Sequence, residues 1–98
     1  MWVLRSNDPA VVMRLPPGAS RTIGRSPRAD FVVDSPLLSR VHCRLSAADA
    51  GLAVEDLQST NGTYVNGERV GQSRMRDGDR LRLGRLELTV AAERDLES

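Results

Sequence analysis

Ninety-eight residues, 40% apolar and 28% charged, are enough for one domain that buries most of its unfolded surface, and too hydrophobic for a disordered chain. A net charge of +1 with only Trp2, Phe31 and Tyr64 as aromatics argues against nucleic acid as a partner, which asks for a basic surface and rings that stack on bases. A single cysteine, Cys43, and a single histidine, His42, leave no internal disulfide and too few ligands for a zinc site, so no metal and no cofactor are expected.

The opening run Met1-Trp2-Val3-Leu4 is too short for the hydrophobic region of a secretory signal. No stretch approaches the roughly 18 apolar residues that cross a bilayer. The cytoplasm is therefore the expected compartment, and no membrane contact is expected. All fourteen basic residues are arginine, a bias that a GC-rich genome explains more simply than recognition does.

Along the chain, short runs rich in β-branched or apolar residues read as strands: Val11–Leu15, Arg21–Ile23, Phe31–Val33, Val41–Leu45, Leu52–Asp56, Thr63–Val65, Glu68–Val70, Arg80–Leu83 and Leu86–Val90. The last two alternate apolar with polar, the period of a sheet with one buried face. Turn signals separate the runs, among them Pro16-Pro17-Gly18, Ser26-Pro27, Ser35-Pro36 and Asp77-Gly78. Asn66-Gly67 suits a type I′ hairpin, because both residues tolerate positive φ. No apolar repeat of three to four residues is sustained for a helix. The expected fold is all-β, a two-sheet antiparallel sandwich of about ten short strands with its loops gathered at one end. Residues 1–90 are read as the domain and residues 91–98 as a polar, acidic tail beyond the core.

Between these strands lie three loops that hold nearly every residue able to bind an oxyanion: Gly24-Arg25, Ser39-Arg40-Val41-His42, and Ser59-Thr60-Asn61-Gly62-Thr63. A guanidinium, hydroxyls, a carboxamide and glycine-freed amides are the groups a phosphate needs. Each has a plainer use. Arg25 could pair with Asp30 or Asp34 on the surface, Ser39 could cap a turn, and Asn61-Gly62 could close an Asx turn on its own backbone. Catalysis is disfavoured: neither Ser39 nor Cys43 has a base with an orienting acid nearby in sequence, and His42 lacks a carboxylate in the local motif.

Taken in order and spacing, Gly24-Arg25, Ser39-Arg40-Val41-His42 and Asp56-Leu57-Gln58-Ser59-Thr60-Asn61-Gly62-Thr63-Tyr64-Val65-Asn66-Gly67 resemble the forkhead-associated (FHA) domain family. The resemblance covers almost the whole chain. It implies a β-sandwich of about eleven strands that binds phosphothreonine peptides, with a Ser/Thr kinase upstream to write the mark. It further implies that Arg25, Ser39, Arg40, Thr60 and Asn61 contact the phosphopeptide, and that Gly24, His42 and Gly62 support them. In some members a basic residue two positions before the serine selects an acidic residue third after the phosphothreonine. Here that position is Leu37, so an aliphatic preference is expected. No threonine lies in a flexible terminus, so the partner is expected in trans. The competing reading is a degenerate FHA-like domain that binds partners through a sheet face, independently of phosphate.

Overall fold

The computed structural model describes residues 1–7, 10–48 and 50–93. Eleven strands make up the domain: β1 (Trp2–Asn7), β2 (Ala10–Leu15), β3 (Ser20–Gly24), β4 (Phe31–Val32), β5 (Cys43–Ala48), β6 (Gly51–Asp56), β7 (Thr63–Val65), β8 (Glu68–Val70), β9 (Gln72–Met75), β10 (Arg80–Leu83) and β11 (Leu86–Ala92). They form a six-stranded sheet in the order β2-β1-β11-β10-β7-β8 and a five-stranded sheet in the order β4-β3-β5-β6-β9. Among the described residues no helix is long and apolar enough to cross a membrane.

The core is the alternation of the strands made physical. In β10, Leu81 and Leu83 are fully buried while Arg80 and Arg82 face outward; in β11, Leu86, Leu88 and Val90 are buried between exposed Glu87 and Thr89. From the other sheet Ile23, Cys43, Leu45, Leu52 and Val54 meet them. Each such side chain contributes roughly 1.5–3 kcal/mol on leaving water. The Asn66-Gly67 turn has φ of 51° and 87°, the left-handed pair that a type I′ hairpin requires, and β7 and β8 pair across it.

Three features depart from the expectations. Strands β1 and β9 were not among the runs read from sequence. In β1 the adjacent Val3 and Leu4 are both buried, which hides the period of two, and β9 carries one apolar residue, Met75, relying on its ladder to β6. The segment Val41-His42 is loop, and β5 starts at Cys43, because His42 is drawn into cross-loop bonds described below. Not every pairing is antiparallel: β4 runs parallel to β3. There the Ser26–Ala29 turn and bonds between Asp30 and Thr22 fold the chain back beside the strand it left. Strand β11 continues through Ala92, and residues 94–98 of the acidic tail lie outside the described residues.

Register places the site. Ile23 pairs with Cys43, and Cys43 with Asp56, so β3 ends, β5 begins and β6 ends in one row. The segments leaving that row, Gly24-Arg25, Ser39–His42 and Leu57–Gly62, must emerge at the same end of the sandwich. The last of them crosses from the five-stranded sheet to β7 of the six-stranded one.

Candidate functional site

Gly24 lets two of these segments touch. A Cβ at this position would run into the Arg40 carbonyl oxygen and lie 2.8 Å from the Val41 Cα, backbone atoms that have no rotamer in which to retreat. With hydrogen in its place, Arg25 N–H donates to the Ser39 carbonyl at 3.1 Å and Ser26 N–H to the Arg40 carbonyl at 3.1 Å. The Arg25 side chain is held as well, its Nε donating to the Leu38 carbonyl at 2.8 Å. That bond fixes the plane of the guanidinium and leaves the two terminal nitrogens for an oxyanion. It also answers the surface-pair alternative. Among the described residues Arg25 has no carboxylate partner, and Asp30 is turned back on Thr22, accepting from its amide and hydroxyl.

His42 ties the second segment to the third. It is fully buried; its Nδ1 accepts the Ser39 amide at 3.1 Å, and its Nε2 lies 2.8 Å from the Gly62 carbonyl. An Nδ1 that accepts leaves the proton on Nε2, so Nε2 donates to Gly62. The neutral ring is thus a two-ended spacer. Ser39 adds a second link, its Oγ accepting the Thr60 amide at 3.0 Å. With that lone pair occupied, its own O–H is free to donate elsewhere. Asn61 reaches back across the gap, its Nδ2 donating to the Leu37 carbonyl at 2.8 Å, so it serves another loop instead of closing a turn on itself. Among the described residues its Oδ1 has no donor.

Beneath the third segment sits a device that the sequence reading passed over. The Asp56 carboxylate accepts the Ser59 hydroxyl, the Ser59 amide at 3.2 Å and the Thr63 hydroxyl at 2.7 Å, and Ser59 Oγ in turn accepts the Gly62 amide at 3.0 Å. Burial by itself would raise the Asp56 pKa. The hydrogen bonds from Ser59 and Thr63 outweigh it and hold the pKa below the ordinary carboxylate value. The signal was present as Asp-x-x-Ser, the spacing at which a carboxylate folds back on the amide and hydroxyl three residues on. Gln58 takes a φ of 58°, a left-handed conformation that no local pattern announced, and Gly62, with φ 89°, supplies another in the same loop.

Above this framework is one open cleft of about 560 Å³. Arg25, Ser39, Arg40, Thr60 and Asn61 all line it, as do Leu37, Arg28, Val41, Leu57 and Gln58. Gly24, His42 and Gly62 do not line it and stand below, in the roles just described. Leu37 is half-buried, seated against the β10–β11 turn so closely that a Cβ on Gly84 would come within 2.8 Å of its own. Cys43, next to His42, is fully buried in the core. Loss of solvent, and then the Asp56 charge, push its thiol up to about 12, so it is no nucleophile at neutral pH.

Comparison with known proteins agrees with this construction. The family model described as FHA domain matches residues 21–84. The ABC transporter ATP-binding/permease protein Rv1747 of Mycobacterium tuberculosis is 43% identical over 77 residues, which is 79% of this chain and 9% of the transporter. The glycogen accumulation regulator GarA of Mycolicibacterium smegmatis is 34% identical over 86 residues, 80% of this chain and 54% of the regulator. The chain therefore spans about half the length of that relative and far less of the transporter. Among solved structures, one from a structural and functional analysis of phosphothreonine-dependent FHA domain interactions is 32% identical with a TM-score of 0.85, over 95% of this chain and 97% of the other. The FhaA FHA domain complexed with the intracellular domain of Rv3910 is 33% identical with a TM-score of 0.83, over 92% and 99%. With two sheets of six and five strands, three laced loops and a family match across most of its length, this chain belongs to the FHA domain family.

Proposed function

We propose that this domain binds phosphothreonine on partner proteins and so couples a Ser/Thr kinase to their recruitment. The observation that carries the reading is convergence: a fixed guanidinium, a hydroxyl with its donor free, a second hydroxyl and a carboxamide, drawn from three separate loops, line one cleft. Arg25 takes two phosphate oxygens. Ser39 and Thr60 donate hydroxyl hydrogen bonds, with the Arg40 amide beside Ser39. Asn61 holds a peptide amide through its unengaged Oδ1. Leu37 offers an apolar contact that favours an aliphatic residue third after the phosphothreonine. The related FHA structure described by its phosphothreonine-dependent interactions supports the same reading.

Magnitude makes phosphate the dominant determinant. A phosphomonoester carries about −1.5 to −2 charge at neutral pH, and each hydrogen bond to a charged group contributes ~1.5–3 kcal/mol net. A micromolar complex is worth ~8 kcal/mol in total, so three or four such bonds account for most of it. Catalysis fits the cleft poorly, since both His42 nitrogens are engaged beneath it and Cys43 is buried with a raised pKa.

Calorimetric titration with a degenerate phosphothreonine peptide pool and with its dephosphorylated twin tests the proposal. Micromolar binding of the first and at least a hundredfold weaker binding of the second is the expected result. Partner capture that survives phosphatase treatment would instead establish the phosphate-independent reading.

A further inference from the structure

The cleft carries more positive charge than one phosphate can satisfy. Three arginines line it, Arg25, Arg28 and Arg40, and among the described residues no aspartate or glutamate does. A bound phosphate supplies about −1.5 to −2 and is already met by Arg25 with the hydroxyls. We propose, resting on the phosphothreonine reading, that Arg28 together with Arg40 forms a second anion subsite, which selects peptides bearing another negative group, a carboxylate or a second phosphate, close to the phosphothreonine.

The backbone builds this pairing. Arg28 stands on a closed turn in which the Ala29 amide donates to the Ser26 carbonyl at 2.9 Å and the Arg28 amide to Ser26 Oγ at 3.2 Å. The same Ser26 donates its amide to the Arg40 carbonyl at 3.1 Å. One residue therefore holds the turn carrying Arg28 and fastens it to the segment carrying Arg40, and both arginines line the same cleft. Both residues are exposed, and among the described residues neither forms an ion pair. The carboxylate best placed in sequence to neutralise Arg28 is that of Asp30, and it is spent on Thr22. A carboxylate from outside would meet two guanidinium groups without having to displace an internal partner, and a phosphate would meet them with more charge and more acceptors. This subsite is separate from the apolar contact at Leu37, so it reads a different peptide position.

The test uses fluorescence anisotropy of the full chain against a phosphothreonine peptide with uncharged flanks. An Asp is walked through roughly four positions on either side, about 13 Å of extended chain each way. One or two adjacent positions should show affinity raised about three- to fivefold, the span of an exposed ion pair, with the gain shrinking as salt screens it. The readout is the ratio of acidic to uncharged peptide, so that any general loss cancels. In Arg28→Ala this ratio should fall to about one, and in Arg28→Glu a Lys at the favoured position should outbind the Asp. Replacing that Asp by phosphothreonine distinguishes the two sources: a further gain points to doubly phosphorylated partners, and no gain to acidic ones. A flat Asp walk, or an Arg28→Glu ratio equal to the parent's, overturns the subsite while the phosphothreonine reading stands. Failure of the uncharged phosphopeptide to bind at all overturns both.

Discussion

Arginine gathers in two regions of this molecule, the loop cleft and the outer face of the six-stranded sheet, and they differ in what surrounds the guanidinium groups. On the sheet, Arg80 and Arg82 alternate with buried Leu81 and Leu83, and the ladder sets Arg82 and Arg69 on either side of Tyr64 and Arg5 opposite Thr89. Two shallow hollows of about 410 and 420 Å³ share Arg80 and Glu87. This face has more guanidinium groups than the cleft, yet several are engaged from within: Arg5 pairs with Glu93 at 2.8 Å, Arg82 lies 4.1 Å from the Tyr64 ring centre, and Glu87 lines both hollows. Strand amides there are consumed by neighbouring strands. In the cleft the backbone belongs to loops, among the described residues no acid lines it, and hydrogen bonds between segments fix the donors. An anion site is made by donors that are held in place and left unspent, and the number of arginines alone does not make one.

The largest effect should come from removing the cleft guanidinium that the Leu38 carbonyl holds in place. Arg25→Ala is expected to weaken phosphopeptide binding by ~3 kcal/mol, about a hundredfold, with a thermal midpoint close to the parent's because the residue is exposed. Calorimetry and a melting curve on the same sample separate the two. A tenfold loss or less would mean that hydroxyls and amides do most of the holding, and the contrast with the sheet face would narrow.

Next is the close approach on which the cleft depends. Gly24→Ala must push the Arg40 carbonyl away, and overpacking of this kind costs about 1–3 kcal/mol. We expect the upper part of that range in urea unfolding, because the obstructing atoms are backbone. Peptide binding should fall with it, since the Arg25 and Ser26 amide bonds span the same gap.

The Asp56 staple should matter less for stability and in a pH-dependent way. Its carboxylate has a folded pKa below the unfolded value, so its contribution is fully present above about pH 4, the unfolded aspartate range, and is lost as pH falls through the folded pKa. Asp56→Asn keeps the size of the side chain but not the charge that three donors share. It should cost about 1–2 kcal/mol at pH 7, and the difference from the parent should vanish in acid. Chemical denaturation at a series of pH values checks this; an unchanged gap at pH 2 would show that the carboxylate does not titrate with folding.

How much of this was legible follows from which interactions are local. Alternation in Leu81-Arg82-Leu83 and the Asn66-Gly67 turn are local facts, and they placed β7, β8, β10 and β11 within a few residues. The ordered motifs likewise named Arg25, Ser39, Arg40, Thr60 and Asn61, which the fold brings to one cleft. What sequence did not show depends on partners far along the chain. Strand β9 has one apolar residue and exists because β6 offers it a ladder. The parallel turn into β4 needs Asp30 to find Thr22. Arg28 reads as an ordinary surface arginine until the Ser26–Arg40 bond ties its turn to the segment carrying Arg40, and Asp56 reads as a strand end until Ser59 and Thr63 close on it.

The smallest effect is the one that sharpens the comparison most. Arg82→Ala removes a cation–π contact worth ~0.5–1 kcal/mol at an exposed site and a hydrogen bond from its Nη1 to the Gly84 carbonyl at 3.2 Å. Phosphopeptide affinity should stay within about twofold of the parent, because no sheet-face arginine lines the cleft. Gly84, however, is packed against Leu37, so loosening that turn reaches the cleft through one apolar contact and through nothing charged. If the Leu37 assignment is right, the variant should blunt discrimination between an aliphatic and a polar residue at the third position while leaving the phosphate requirement intact. A loss of phosphate dependence in Arg82→Ala would instead show that the two arginine regions act as one field, and the distinction between held and merely numerous donors would fail.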